Sequence, residues 1–173
     1  MSYEVSVNAT PDCRLLGSGF DIIVLSIGGA LMATFSERIS DLMNEKEIGS
    51  PQLAATVGVD ATTVNNWKRG KFQLFLSNAI KLADFFKCSF EYLVGRCDNE
   101  TEYAANPCPP FYPRFLAVME ECGYTTYRLR KESPIKGAHL NKWKKGTDPL
   151  MATLIIAADF FGVTLDYLVG RDR

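Results

Sequence analysis

The side chains able to do covalent or metal chemistry are few and scattered. There is one histidine, His139, and no serine, cysteine or acid stands at a motif spacing from it that would make it a catalytic base. The five cysteines (Cys13, Cys88, Cys97, Cys108, Cys122) form no C-x-x-C pair. Neither a zinc cluster nor a disulfide framework is therefore expected, and reduced thiols suit a cytoplasmic protein. No glycine-rich phosphate loop occurs either, so no enzyme activity, metal or cofactor is expected. What the chain does hold is amides and cations gathered around its two tryptophans, in Asn65-Asn66-Trp67-Lys68-Arg69-Gly70 and Asn141-Lys142-Trp143-Lys144-Lys145-Gly146. Groups of this kind bind; they do not break bonds.

The chain has 173 residues, 47% of them hydrophobic, with 19 Lys+Arg against 20 Asp+Glu. That composition belongs to one or two folded domains, and a net charge of −1 gives no whole-chain sign of a nucleic-acid partner. Any basic surface must be local.

The two tryptophan motifs are the centre of an internal repeat. At an offset of 76 positions, Arg38 falls on Arg114, Met43 on Met119, Glu45 on Glu121, Leu53 on Leu129 and Trp67 on Trp143. After Gly70 the offset drops to 75, and Ala83-Asp84-Phe85-Phe86 falls on Ala158-Asp159-Phe160-Phe161. Tyr92-Leu93-Val94-Gly95-Arg96 then falls on Tyr167-Leu168-Val169-Gly170-Arg171. A match of this length is an internal duplication. It divides the chain into a leader (1–32), a first copy (33–97), a linker (98–108) and a second copy (109–173). The linker region, Asp98 to Pro110, carries three acids, no base and three prolines.

The leader holds an apolar run, Ile22 to Ala33, too short against the roughly 20 residues a spanning helix needs. Gly28-Gly29 can be encoded by a purine-rich ribosome-binding sequence, which leads to the expectation that translation starts at Met32.

Each copy reads as helices. Phe35, Ile39, Leu42 and Met43 recur at helical spacing. Ser50 is the expected N-cap of a second helix with Pro51 in its first turn, and Leu53, Ala54 and Val57 form its inner face. Gly58 permits a tight turn. Asp60 is the expected cap of a third helix with Val64 and Trp67 inward, and Gly70 ends it. A fourth helix carries Ala79, Ile80, Leu82, Ala83 and Phe86 as its apolar positions, and a short fifth begins at Ser89. The tryptophans are expected to pack in the core rather than to stack on bases. The Tyr-Leu-Val-Gly tails suit either core closure or a contact between copies.

Two helices joined by a glycine turn, the second ending in W-K-x-G, form a helix-turn-helix pattern. The sequence resembles the Cro/repressor-type (XRE) helix-turn-helix family of bacteria and their phages. The resemblance rests on Ser50, Gln52-Leu53-Ala54, Gly58-Val59, Val64, Trp67-Lys68-Arg69-Gly70 and the tail in the first copy. In the second it rests on Leu129, Leu140, Trp143-Lys144-Lys145-Gly146, Pro149 and the same tail. It implies an all-α fold of two repeated, five-helix, lambda-repressor-like domains. It also implies a sequence-specific transcriptional regulator, a repressor by expectation, with double-stranded DNA as partner and a homodimer possible. The class apart from this is a protein-interaction module, an antirepressor or scaffold, that keeps the fold without binding DNA.

By that resemblance the base-reading positions are Ala61, Thr62, Asn65 and Asn66 in the first copy and Gly137, Ala138, Asn141 and Lys142 in the second. Ser50, Gln52, Thr63, Lys68, Arg69 and Lys71 join the first DNA-binding set, mainly as phosphate contacts. Thr126, Arg128, Lys136, His139, Lys144 and Lys145 join the second. The sequence departs from the family where an arginine late in helix one meets a glutamate after the tryptophan. Here Met43 and Lys68, and Met119 and Lys144, stand at those places. It departs again where Ser133-Pro134 replaces Val57-Gly58 at the turn. The copies also differ in charge: residues 33–97 hold 8 bases and 7 acids, residues 109–173 hold 10 and 7. The second copy is thus expected to supply more of the phosphate affinity and the first more of the base discrimination. If the copies pack through their tails, one half-site spacing should dominate.

Overall fold

The computed structural model describes residues 34–71, 73–98, 103 and 106–172. The leader, with its expected start at Met32, lies outside the described residues. The N-terminal half holds α1 (34–45), α2 (Ser50–Val57), α3 (Ala61–Lys68), α4 (Leu76–Phe86) and α5 (Phe90–Leu93). The C-terminal half holds α6 (Phe111–Glu121), α7 (Thr126–Glu132), α8 (Gly137–Lys144), α9 (Met151–Phe161) and α10 (Leu165–Val169). Among the described residues the extended pairing is an isolated antiparallel bridge between Phe75 and Leu150.

The apolar positions spaced for helices are the ones that pack. Phe35, Ile39, Leu42, Leu53, Val57, Val64, Trp67, Leu82 and Phe86 are buried in the N-terminal half. The C-terminal half is built on rings: Phe115 meets Trp143 at 5.1 Å and Phe161 at 5.6 Å between centroids, and Phe111 meets Trp143 edge-on at 5.2 Å. Met43 and Met119 are buried while Lys68 and Lys144 are exposed. An apolar side chain thus fills the place where an arginine would need a partner.

The start of α2 differs from expectation. Gly49, extended at φ −87°, is its N-cap, so Ser50 is the first helical residue. The Gln52 carboxamide reaches back to accept the Gly49 N–H at 2.7 Å, the return half of a capping box, and no N-cap side chain accepts from the first turn. α2 then ends at Gly58, left-handed at φ 76°, whose N–H returns to the Ala54 carbonyl at 2.8 Å. At the matching turn of the other half, Ser133 is extended (φ −107°, ψ 158°) because Pro134 follows it. Its hydroxyl accepts the Ile135 N–H at 3.1 Å.

The contacts between the halves come in pairs related by the 75-residue offset. The Leu76 N–H donates to the Pro149 carbonyl at 2.9 Å, and the Met151 N–H donates to the Leu74 carbonyl at 2.8 Å. The Phe90 N–H, at the head of α5, donates to the Asp166 carboxylate at 2.8 Å. The Leu165 N–H, at the head of α10, donates to the Glu91 carboxylate at 2.7 Å. Arg96 reaches Asp159 at 2.5 Å and Arg171 reaches Asp84 at 2.8 Å. The expected linker is tied down as well. The Tyr103 N–H donates to the Lys87 carbonyl, the Asn106 N–H to the Arg171 carbonyl, and the Tyr103 hydroxyl to Asp172 at 2.7 Å.

These last contacts make the two ionic groups unequal. Arg96 keeps 27% of its side chain in solvent, but Arg171 keeps 1% and Asp166 3%. Arg171 lies over the Phe90 ring at 4.6 Å and stands 3.3 Å from Asp166 without hydrogen-bond alignment. Burial pushes the Asp166 carboxyl up to about 6, against the pull of the Phe90 N–H and the Arg171 guanidinium. Removing a buried partner leaves a charge uncompensated; removing an open one does not. In urea titrations Arg171→Ala is expected to cost about 3–5 kcal/mol. Arg96→Ala should cost nearer about 1 kcal/mol. Equal losses would show that the two networks are equally solvated.

Candidate nucleic-acid interface

Val64 and Trp67 turn one side of α3 inward. At about 100° per residue the opposite side is a stripe of Thr62, Asn65, Asn66 and Arg69. Thr62, Asn65 and Arg69 are exposed and Asn66 is half-buried. Leu140 and Trp143 likewise turn α8, leaving Ala138, Asn141, Lys142 and Lys145 exposed at the corresponding positions. Both stripes hold hydrogen-bonding or cationic groups without an acid.

Each stripe has flanks. On the α2 side Ala61 is half-buried against the core and Lys68 is exposed. There the Ser50 hydroxyl donates to the Asn65 carboxamide oxygen at 2.8 Å. Ser50, expected to meet phosphate, thus orients a base-reading candidate and leaves the Asn65 amide N–H groups free to point outward. Gln52 is occupied by its own helix cap. On the other flank Thr63 and Asn66 border a cleft shared with Lys71, Gln73, Phe75 and Asn78. That brings the phosphate candidates Thr63 and Lys71 next to a base-reading one.

Residues 49–93, from the cap of α2 through α5, match the family model described as Helix-turn-helix. The match supports a helix-turn-helix of the XRE type over this segment. The match supports a DNA-binding regulator of that type. No curated protein matches the chain, and no solved structure does.

The turn between the helices of this helix-turn-helix is held by a residue that sequence reasoning passed over. Lys81, from α4, donates to the Val57 carbonyl at 2.8 Å and closes the C-terminus of α2. Its counterpart at the 75-residue offset is Ile156, and the other half closes its turn with Ser133 instead.

In the C-terminal half Thr126, Lys136, Lys144 and Lys145 are exposed as expected, while Gly137 is half-buried beneath the Arg130 side chain. Arg128 is engaged locally. It forms a two-pronged pair with Glu132 at 3.1 and 3.0 Å, donates to the Gly123 carbonyl and lies over the Tyr124 ring. Its guanidinium is thereby paired within its own helix rather than held out alone. Arg130, two positions on, was not among the expected contacts and forms no ion pair among the described residues. A comparison of Ala54 with Arg130 in the repeat register was the available signal.

Among the described residues no three His, Cys, Asp or Glu side chains gather as metal ligands, and no helix is long and apolar enough to cross a membrane.

His139 is half-buried, stacked on Trp143 at 6.0 Å and 21° between rings, with a buried Nδ1 that has no partner. Burial pushes its pKa below the ordinary imidazole value, and Lys142 and Lys136 push the same way. The folded protein therefore binds fewer protons at this ring than the unfolded chain does. The resulting stability is present above about pH 6.5 and is lost as the pH falls. Thermal melts from pH 7.5 to 5.5 are expected to fall more steeply for the wild type than for His139→Gln. Parallel curves would show that the ring titrates as it does in water.

Proposed function

We propose that the chain is a sequence-specific transcriptional repressor of the bacterial or phage type, working in the cytoplasm. It carries two helix-turn-helix units, 33–97 and 109–173, joined by the linker 98–108, and is a binding protein rather than an enzyme. One observation carries the reading: the outward stripes of α3 and α8 occupy the same repeat position and bear amides and cations with no acid among them. Such stripes suit the major groove, where asparagine pairs with adenine N6 and N7 and lysine with guanine O6 and N7. Lys68, Lys71, Lys136 and Lys144 flank them as phosphate contacts.

The paired contacts between the halves support a tandem arrangement in which one chain supplies both heads. An interface in which each contact recurs with donor and acceptor halves exchanged is isologous, the kind a two-fold dimer makes. One chain would then bind two inverted half-sites at a single spacing near one helical turn, about 34 Å. The covalent link raises the effective concentration of the second head once the first is bound. The half-sites would differ, since Asn66 in one unit stands where Lys142 stands in the other.

Selection of bound duplexes from a random pool, followed by salt titration of the winners, tests the reading. Inverted half-sites at one spacing and steeply salt-dependent binding are expected. Replacing Lys144 and Lys145 by Ala should weaken binding to all sequences and flatten the salt slope by roughly one unit per lost contact. Asn66→Ala should cost about 1–3 kcal/mol on the preferred site only. A folded chain that selects nothing at low salt would favour the protein-interaction module instead.

A further inference from the structure

In the repeat register Ala54 and Ala61 correspond to Arg130 and Gly137. Ala54 is 4% exposed on the inner face of α2, and Ala61 packs half-buried against the same core. A guanidinium at the place of Ala54 cannot stay there unpaired, since burying its charge without a partner is costly. Arg130 is instead exposed, and its side chain lies against Gly137. A Cβ on Gly137 would lie 3.2 Å from the Arg130 Nε and 3.6 Å from its Cδ and Cζ. The arginine side chain passes over the space that a side chain at residue 137 would take.

Backbone conformation does not call for this glycine. Gly137 is the first helical residue of α8, after an extended Lys136 at φ −73°, and is not left-handed. Its missing Cβ serves the arginine. Where α7 carries the larger residue of the repeat pair, the residue facing it on α8 is the smaller one. The guanidinium lies beside Gly137 in the first turn of α8, one residue before Ala138, where the stripe of the C-terminal half is otherwise least able to hydrogen-bond. Among the described residues no carboxylate holds it there, in contrast to Arg128 and Glu132.

We propose that Arg130 is a base-reading residue, carried over Gly137 to the head of α8, and that it gives one half-site a guanine the other lacks. The proposal rests on the DNA-binding reading above. The planar fork of arginine matches guanine O6 and N7 in the major groove, and the N-terminal half has only Ala54 and Ala61 to set there.

The full-length chain and its Arg130→Ala, Arg130→Lys and Gly137→Ala variants are to be put through the same selection, with circular dichroism melts alongside. Because the guanidinium is solvent-exposed, the melts should move little. Arg130→Ala is expected to lose on the order of ten- to a hundred-fold on the selected site and to lose the guanine preference at one position of one half-site. Arg130→Lys should keep part of the affinity, and Gly137→Ala, which crowds the Nε, should weaken the same guanine preference. The proposal is overturned if Arg130→Ala selects the wild-type sequence unchanged. It is also overturned if that variant weakens every sequence alike and lowers the salt slope by about one unit, which marks a phosphate contact. A wild-type chain that selects no sequence overturns this proposal and the DNA-binding reading together, whereas the other two outcomes overturn this proposal alone.

Discussion

Two acids, each closing the first turn of a helix in the opposite half, hold this protein in register. α5 has four residues and α10 has five, far below the length at which an isolated helix is stable in water. Each has a hydroxyl cap of its own, Ser89 on the Tyr92 N–H and Thr164 on the Tyr167 N–H. Each leaves its first N–H to a carboxylate across the interface: Phe90 to Asp166 and Leu165 to Glu91. A charged acceptor on a helix N-terminus is favoured by both the hydrogen bond and the helix dipole. The capping requirement of one half is therefore met only when the other is docked. Local helix formation and the placement of the halves are one event.

The same interface departs from symmetry at one point. The Arg96, Glu91 and Asp159 group is half-buried, while the Arg171, Asp166 and Asp84 group has Tyr103, Asn106 and Cys108 near it. A symmetric pair of identical chains would have no linker to lay on one side. Here the connecting segment has a fixed direction, so it lies on the side of the buried Arg171–Asp166 pair, while Asp84 at its edge stays exposed and the counterpart pair stays partly exposed. Gly170 contributes to the close fit on that side: at φ 82° it is left-handed, and a Cβ on it would meet Pro109 at 2.9 Å.

Much of this was legible in the sequence, because hydrophobic periodicity reports which side of a helix is buried. The order of helices, the inward Trp67 and Trp143 and the outward stripes of α3 and α8 follow from it. The cap of α2 did not follow, since Ser50 and Gly49 both suit that place and the choice turned on where the Gln52 carboxamide could reach. The Ser50–Asn65 bond escaped for a similar reason: periodicity places both residues outside but does not say that two neighbouring helices bring them within 2.8 Å. The roles of Glu91 and Asp166 were hidden because an acid in a first turn is read as serving its own helix. The expected spacer, judged by its prolines and acids, proved to hold backbone hydrogen bonds at Tyr103 and Asn106. Composition describes what a segment can do alone and not what it docks against.

The net charge of −1 looks at first like an argument against a polyanionic partner. Its distribution reverses the argument. Asp84, Glu91, Asp159 and Asp166 are committed to the contact between the halves, Asp172 binds Tyr103 and Thr164, and Asp148 binds Ser77. Few acids are left near α3 and α8: Asp60 stands before the first, and Glu132 is held by Arg128 near the second. Interactions between exposed charges fade over a Debye length of about 8 Å at physiological salt. An approaching phosphate therefore responds to Arg69, Lys71, Arg130, Lys142, Lys144 and Lys145 rather than to the chain's total. The two copies together hold 18 bases and 14 acids, those of the joint included, and it is residues 1–32 and 98–108, with 1 base and 6 acids, that bring the sum to −1.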